Sequence, residues 1–110
     1  MSVAANIDPA QVTSPEEMLV LDVREPRELA GALGVISGAV NVPVRDLFAG
    51  HLPDGLVKER PVLVVCRTGF RSAKAASFLS TVVGVEEVYN LAGGMVAWNR
   101  DGRPVEHRRG

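Results

Sequence analysis

A chain of 110 residues is long enough for one domain with a substantial core and too short for two. Hydrophobic residues make up 46% of the chain and charged residues 23%, which are ordinary proportions for a globular protein and argue against disorder along its length. The formal net charge of −1 excludes a general attraction to nucleic acid or to an anionic membrane. Any anion-binding site must therefore be local.

The N-terminal residues, the apolar stretches and the single cysteine indicate the cellular compartment in which the chain is expected. Residues 1–8 contain neither a basic n-region nor a long apolar core, and the longest apolar stretches are strand-sized, so we expect no signal peptide and no membrane span. Because Cys66 is the only cysteine, an intrachain disulfide, a zinc site of several thiolates and a resolving thiol within the chain are excluded. The expected location is the reducing cytoplasm.

Short apolar runs alternate with helical patterns along the chain. In chain order, the sequence predicts strand 3–7, helix 9–13, strand 18–22, helix 26–32, strand 39–42, helix 44–48, strand 62–66, helix 71–82, strand 87–91 and helix 94–100. Continuous apolar runs such as residues 62–65 are typical of parallel strands covered on both faces. The alternation predicts an α/β domain with a mainly parallel sheet.

The helix predicted at residues 71–82 has the clearest amphipathic pattern. Its apolar stripe at helical spacing comprises Ala75, Ala76, Leu79, Val82 and Val83. The residues expected to lie mostly outside that stripe are Lys74, Ser77 and Ser80. The pattern therefore predicts one buried face along the whole helix.

The cysteine lies where a strand meets this helix. Cys66 closes the apolar run, and the segment from Cys66 to Ser72 leads directly into the predicted helix. Backbone N–H groups of such a loop, together with the helix N-terminus, favour an anion, and Arg67, Arg71 and Lys74 add positive charge nearby. These surroundings favour a reactive thiolate over the alternative, an inert buried cysteine that completes a core strand.

Four segments carry a resemblance to a known family: residues 21–26 (LDVREP), 36–43 (ISGAVNVP), 64–72 (VVCRTGFRS) and 91–98 (LAGGMVAW). In their order and approximate spacing, over about residues 5–105, they resemble the single-domain rhodaneses. The resemblance implies one rhodanese-like domain, residues 1–110 with a core at about 3–105 and a short polar tail. Its fold would be α/β, with a five-stranded, mainly parallel sheet and helices on both faces. One departure is Val35, where the family often has His, and we expect it to affect packing rather than chemistry.

The same resemblance implies an activity. Cys66 would accept a sulfane sulfur as a persulfide and pass it to cyanide, a thiol or a protein acceptor. Sulfur transfer of this kind needs a nucleophile and a group that stabilises an anionic product. Cys66 supplies the nucleophile, and the backbone N–H groups that follow it can stabilise the product, with Gly69 permitting the tight path of the loop. Arg67 and Arg71 would attract and screen a dianionic donor such as thiosulfate. The predicted substrate-binding residues are Arg67, Thr68, Gly69, Phe70, Arg71 and Ser72.

Supporting residues are expected at the same edge of the sheet. Asp22 and Arg24 follow the neighbouring predicted strand, and carboxyl ends of parallel strands share one edge. The resemblance implies that they support the loop, with Asp22 bonded to backbone or to Arg rather than to substrate. Residues 93–94 predict a strand-to-helix turn, and Trp98 is expected to anchor the core.

Some residues and groups are not expected to take part. His51 and His107 lie in polar sequence with nothing to couple them to Cys66, so Cys–His protease chemistry is not predicted. Residues 106–110 are expected to form a solvated tail.

No cofactor and no metal are predicted. The predicted partners are a small anionic sulfur donor and a thiol or protein acceptor, with no nucleic acid and no membrane, and the chain is expected to be a monomer or weak homodimer.

Two other functions stay open. A cysteine phosphatase or arsenate reductase would separate its Cys and Arg by five residues and often has His before the Cys, whereas Cys66 and Arg71 are separated by four and Val65 precedes the cysteine. The shorter loop favours a single sulfur atom over a phosphate with its oxygens. The second alternative is a non-catalytic interaction module, although such modules commonly lose the nucleophile that this chain retains.

Overall fold

The computed structural model describes residues 3–108. Its strands are β1 (Val3–Ile7), β2 (Leu19–Asp22), β3 (Val40–Asn41), β4 (Val62–Val65) and β5 (Glu87–Leu91). Its α-helices are α1 (Pro26–Leu29), α2 (Val44–Phe48), α3 (Phe70–Phe78) and α4 (Gly94–Arg100). Shorter helical turns are formed by Pro9–Gln11, Pro15–Glu17 and Leu79–Val83. No helix in this part of the chain is long and apolar enough to cross a membrane.

The strands form a parallel sheet in the order β1-β5-β4-β2-β3. β4 occupies the centre, with Val65 opposite Asp22 of β2 and Val64 opposite Asn90 of β5. Residue 66 therefore leaves the middle of the sheet at its carboxyl edge, between the ends of two other strands. In open α/β sheets this edge is where ligands bind.

A core covers each face of the sheet, because successive side chains of a strand point to opposite faces. One core joins Leu21 and Val64 to residues of α2 and α3. The other joins Leu63 and Val65 to α4, where Trp98 is only 1% exposed. The predicted five-stranded α/β fold with helices on both faces is confirmed, as is the core position of Trp98.

The predicted helix 71–82 differs from the observed one in its last turn. α3 ends at Phe78 and is followed by a π-helical turn, Leu79–Val83. Val82 is 70% exposed and Ser80 is 4% exposed, so the predicted places of both residues are wrong. A π turn closes hydrogen bonds over five residues instead of four, which rotates the residues that follow away from the 3.6-residue spacing.

The C-terminal segment also departs from its prediction. The backbone of Glu106 exchanges two hydrogen bonds of 2.8 Å with Val35 in an isolated antiparallel bridge. The guanidinium of Arg108 donates to the carbonyl oxygen of Ala39 at 3.0 Å. The predicted solvated tail is therefore wrong for these residues, and residues 109–110 lie outside the described part. Val35 is fully buried in this region.

Other differences concern boundaries. The predicted strand 39–42 is reduced to the two residues of β3, and the predicted helix 26–32 ends at Leu29. The predicted helix 9–13 is a 3₁₀ turn, and the turn Pro15–Glu17 is not predicted from the sequence. Short helices of this kind lack the repeated apolar spacing on which a prediction depends.

The buried hydroxyl of Ser80 yields a stability prediction. Its Oγ has no hydrogen-bond partner among residues 3–108. Because an unsatisfied buried polar group is costly, Ser80→Ala should raise the free energy of unfolding by about 1 kcal/mol in denaturant titrations. Ser77→Ala, on the exposed face of α3, should change it by only about 0.5 kcal/mol or less, which is the difference in helix propensity. A loss of stability in Ser80→Ala relative to this control would contradict the prediction.

Candidate active site

The Cys66 sulfur is held by donors from the loop that follows it. Cys66 comes directly after β4 and is 1% exposed. Its Sγ accepts a hydrogen bond from the N–H of Gly69 at 3.1 Å and lies 3.2 Å from the hydroxyl oxygen of Ser72. The loop therefore curls back over the sulfur before α3 begins.

These contacts lower the pKa of the thiol against the effect of its burial. Burial alone raises the pKa of the Cys66 thiol, since it penalises the charged form. Hydrogen bonds from the hydroxyl and N–H of Ser72 and from the N–H groups of Gly69 and Thr68 favour the thiolate and outweigh burial, so the pKa lies below its usual range. The donors therefore make the thiolate more favourable than burial alone would allow, in a place that is almost closed to water.

The tight path of the loop depends on Gly69. Its φ of +96° lies in the left-handed region, where glycine carries no penalty for a side chain. A Cβ at this position would also lie 3.2 Å from the backbone nitrogen of Gly93 and 3.3 Å from the carbonyl oxygen of Leu91. Both conformation and space therefore require glycine where the chain turns from Cys66 into α3.

The N-terminus of α4 holds the other side of the loop. The N–H of Met95 donates to the carbonyl oxygen of Cys66 at 2.9 Å, and the N–H of Val96 donates to that of Arg67 at 3.0 Å. This approach is possible because Gly94 has no side chain: a Cβ there would lie 2.5 Å from the carbonyl oxygens of Cys66 and Arg67. The predicted strand-to-helix turn at residues 93–94 is confirmed, with positive φ at both glycines.

Asp22 and Arg24 form a buried ion pair at the end of β2. The Arg24 guanidinium donates to the Asp22 carboxylate at 2.8 and 3.0 Å and to the carbonyl oxygen of Gly34 at 2.7 Å. Both residues are 1% exposed. With these partners, the two side chains tie the end of β2 to the turn that precedes β3.

Arg71 lies on the first turn of α3 and pairs with a residue that sequence analysis did not single out. Its guanidinium donates two hydrogen bonds, of 2.7 and 2.9 Å, to the carboxylate of Glu28 on α1. The hydrogen bonds from Arg71 lower the pKa of Glu28 to about 2, although partial burial opposes them. The same pairing raises the pKa of Arg71, and so does the charge of Cys66. The spacing of Glu25 and Glu28 indicates a capping box, but it does not reveal this partner.

The remaining predicted loop residues lie at the surface. Arg67, Thr68 and Phe70 are exposed, and the Lys74 ammonium lies 4.6 Å from the centre of the Phe70 ring. Beside the loop is a cleft of about 220 Å³, lined by Arg24, Glu28, Gly31, Ala32, Leu33 and Arg67. His51 and His107 are exposed.

Asn90 is a second residue at the site that sequence analysis did not single out. It lies on β5, is 7% exposed, and its Oδ1 is 2.5 Å from the Ser72 hydroxyl oxygen. Its Nδ2 donates to Asn6 Oδ1 at 2.9 Å and to the Gly69 carbonyl oxygen at 3.3 Å. An amide two residues after Val88, and so on the same face of the predicted strand as that apolar side chain, is the signal in the sequence that could have indicated it.

Comparison with known proteins settles the family. The sequence profile of the rhodanese-like domain matches residues 3–101. The chain belongs to the rhodanese family. A sulfurtransferase of Allochromatium vinosum is 34% identical over 97 residues, which cover 86% of this chain and 84% of that protein. The thiosulfate sulfurtransferase GlpE of Shewanella oneidensis is 33% identical over 89 residues, which cover 81% of this chain and 83% of that protein.

Solved structures agree with the sequence relatives. A rhodanese-related protein from Thermoplasma volcanium superposes with a TM-score of 0.80 at 33% identity, covering 94% of this chain and 99% of the other. The resemblance read from the four sequence segments is therefore confirmed. It extends over residues 3–101 of this chain and over 99% of the Thermoplasma volcanium structure.

The close approach at Gly94 is testable by comparing this first residue of α4 with Gly102, which lies just beyond the end of the helix. Gly102→Ala, at a φ of +73° with open space around it, should lose about 1 to 2 kcal/mol of unfolding free energy from backbone conformation alone. Gly94→Ala should lose about 3 to 4 kcal/mol, because overpacking against the Cys66 and Arg67 carbonyls adds to that penalty. It should also slow alkylation of Cys66, whereas Gly102→Ala should not. Equal losses in the two variants would contradict the steric explanation.

Proposed function

We propose that this rhodanese is a sulfurtransferase in which Cys66 carries the sulfur as a persulfide. The observation that supports this most strongly is the buried Cys66 sulfur, which has backbone N–H and hydroxyl donors around it and a pKa lowered by them. These donors suit an anion of the size of one sulfur atom. Thiosulfate is the proposed donor, since a relative that is 33% identical bears the name thiosulfate sulfurtransferase.

In the first step, the Cys66 thiolate attacks the outer sulfur of thiosulfate. A new S–S bond forms, the S–S bond of the donor breaks, and its electron pair leaves with sulfite. The product is a Cys66 persulfide with its negative charge on the outer sulfur, so the total charge of three negative units is conserved. The loop N–H groups that favour the thiolate are proposed to stabilise this anion as well.

In the second step, a thiophilic acceptor attacks the outer sulfur. With cyanide as acceptor, a C–S bond forms, the persulfide S–S bond breaks, and thiocyanate leaves while Cys66 returns to the thiolate. A thiol or a protein acceptor would receive the same sulfur. Because Phe70 and Arg67 are exposed at the loop, an acceptor can approach from this side.

Arg71 and Arg67 are proposed to draw the anionic donor to the site. Arg71 is neutralised in part by Glu28, whereas Arg67 is exposed beside the cleft. Their joint role is to reduce the repulsion between a dianion and a thiolate. The cytoplasmic location and the monomeric or weakly dimeric state stay predictions from the sequence.

Intact mass spectrometry tests the persulfide directly. Incubation with thiosulfate should add one sulfur atom to the wild-type chain, and cyanide or dithiothreitol should remove it. Cys66→Ser should gain no sulfur and should not turn over, because a hydroxyl is a poorer nucleophile and forms no persulfide. An unmodified wild-type mass would contradict the proposal. Vanadate-sensitive hydrolysis of an aryl phosphate would favour a phosphatase instead, and neither activity would favour an interaction module.

The role of Arg71 is testable through its ion pair. Arg71→Ala removes a positive charge and also leaves the Glu28 carboxylate unpaired near the donor. We expect kcat/KM for thiosulfate to fall about tenfold or more, equivalent to roughly 1.4 kcal/mol, mainly through KM, with a smaller effect on an uncharged donor. Adding Glu28→Gln should restore part of the loss, and Arg67→Ala should be milder than Arg71→Ala. Equal losses with charged and uncharged donors would mean that Arg71 only shapes the loop.

A further inference from the structure

The Ser72 hydroxyl has one proton and two acceptors within reach. Its oxygen is 3.2 Å from Cys66 Sγ and 2.5 Å from Asn90 Oδ1. A hydroxyl donates a single hydrogen bond but accepts others, so it cannot donate to both neighbours at once. Which neighbour receives the proton depends on the charge of the sulfur.

The orientation of the Asn90 amide is fixed by its other contacts. The Nδ2 atom faces the carbonyl oxygen of Gly69 at 3.3 Å, and a carbonyl oxygen can only accept. It also faces Asn6 Oδ1 at 2.9 Å. The oxygen of the amide therefore faces Ser72, where it is a permanent acceptor that competes with the sulfur.

We propose that Asn90 is a positioning residue that acts through Ser72: it accepts the hydroxyl proton when the Cys66 sulfur is neutral and loses it to the sulfur when Cys66 is a thiolate. With a neutral thiol, the S–H can donate to the Ser72 oxygen while the O–H remains on Asn90. With a thiolate, the O–H turns to the sulfur, and the Ser72 oxygen and Asn90 Oδ1 are left in contact without a shared proton. Asn90 thus makes the thiolate less favourable than Ser72 alone would.

This competition suits sulfur transfer, and in that respect it rests on the proposed function. When Cys66 becomes a persulfide, its inner sulfur is neutral and no longer needs a strong donor. A buried hydroxyl without an acceptor would then be costly, and Asn90 supplies the acceptor. Each turnover would therefore move the proton of Ser72 between two acceptors without any proton leaving the protein.

The charged groups around the sulfur are not altered when Asn90 is substituted. Those at this edge of the sheet are Asp22 at the end of β2, Arg24 just after it, Glu28 on α1, and Arg67, Arg71 and Lys74 on the loop and α3. The first two pair with each other, and Glu28 pairs with Arg71. β5 contributes Asn90 rather than a titratable group where it packs against Ser72. Removing Asn90 therefore changes a neutral hydrogen bond and leaves these charges in place.

The test uses the single cysteine, whose ultraviolet thiolate absorbance and alkylation by iodoacetamide need no sulfur donor. Asn90→Ala should move the thiolate transition to lower pH and raise the alkylation rate, measured below that transition, by about threefold to tenfold, since one neutral hydrogen bond no longer competes. In the Ser72→Ala background the same substitution should change neither quantity. The readout is independent of sulfur transfer, so a failed persulfide assay would not affect it.

Controls separate positioning from structure. Asn99→Ala removes two amide-to-carbonyl hydrogen bonds of 2.8 and 3.0 Å elsewhere, and should leave the thiolate transition unchanged. A transition that moves to higher pH in Asn90→Ala, or by equal amounts in both Ser72 backgrounds, would overturn the proposal, since Asn90 would then only support the loop. Should Asn90→Ala fail to fold, NMR of the wild-type protein decides: the Asn90 side-chain amide should titrate with the thiolate, and this titration should be lost in Ser72→Ala. An amide that does not follow the thiolate would overturn the proposal.

Discussion

The hydrogen bonds from the N-terminus of α4 to the Cys66 and Arg67 carbonyls are the contacts on which the site depends. A trans peptide is planar, so its N–H points opposite to its C=O. When Val96 holds the Arg67 carbonyl, the N–H of Thr68 in the same peptide must point away from α4, towards the sulfur. One helix end thereby orients the donors of the loop, and the absence of a side chain at Gly94 keeps the distance short enough for this.

The site stabilises its anion mainly with dipoles rather than with free charges. Asp22 neutralises Arg24 within the protein, and Glu28 accepts two hydrogen bonds from Arg71. A sulfur surrounded by unpaired cations would be held too firmly in one charge state. The proposed cycle needs the Cys66 sulfur to be anionic before transfer and neutral afterwards. Oriented N–H groups and one hydroxyl with two acceptors meet this requirement.

The sequence was sufficient for features that depend on local pattern. Continuous apolar runs predicted the parallel strands, and the position of Cys66 between a strand and a helix predicted an anion-stabilising loop. The burial of Ser80 and the exposure of Val82 could not be predicted, because a π turn interrupts the helical spacing. Glu28 and Asn90 were missed for a different reason. Glu28 contacts Arg71, which is 43 positions away in the sequence, and Asn90 contacts Ser72, which is 18 positions away. No local sequence pattern indicates such contacts.

A crystal structure determined after exposure to thiosulfate would show whether the loop donors surround the transferred sulfur. We expect an additional atom bonded to Cys66 Sγ, within hydrogen-bond distance of backbone N–H groups between Arg67 and Ser72. Ser72 should then donate to Asn90, with the inner sulfur no longer its acceptor. A persulfide whose outer sulfur points away from these N–H groups, or an intact oxyanion bound over an unmodified Cys66, would show that the loop donors do not hold the transferred sulfur.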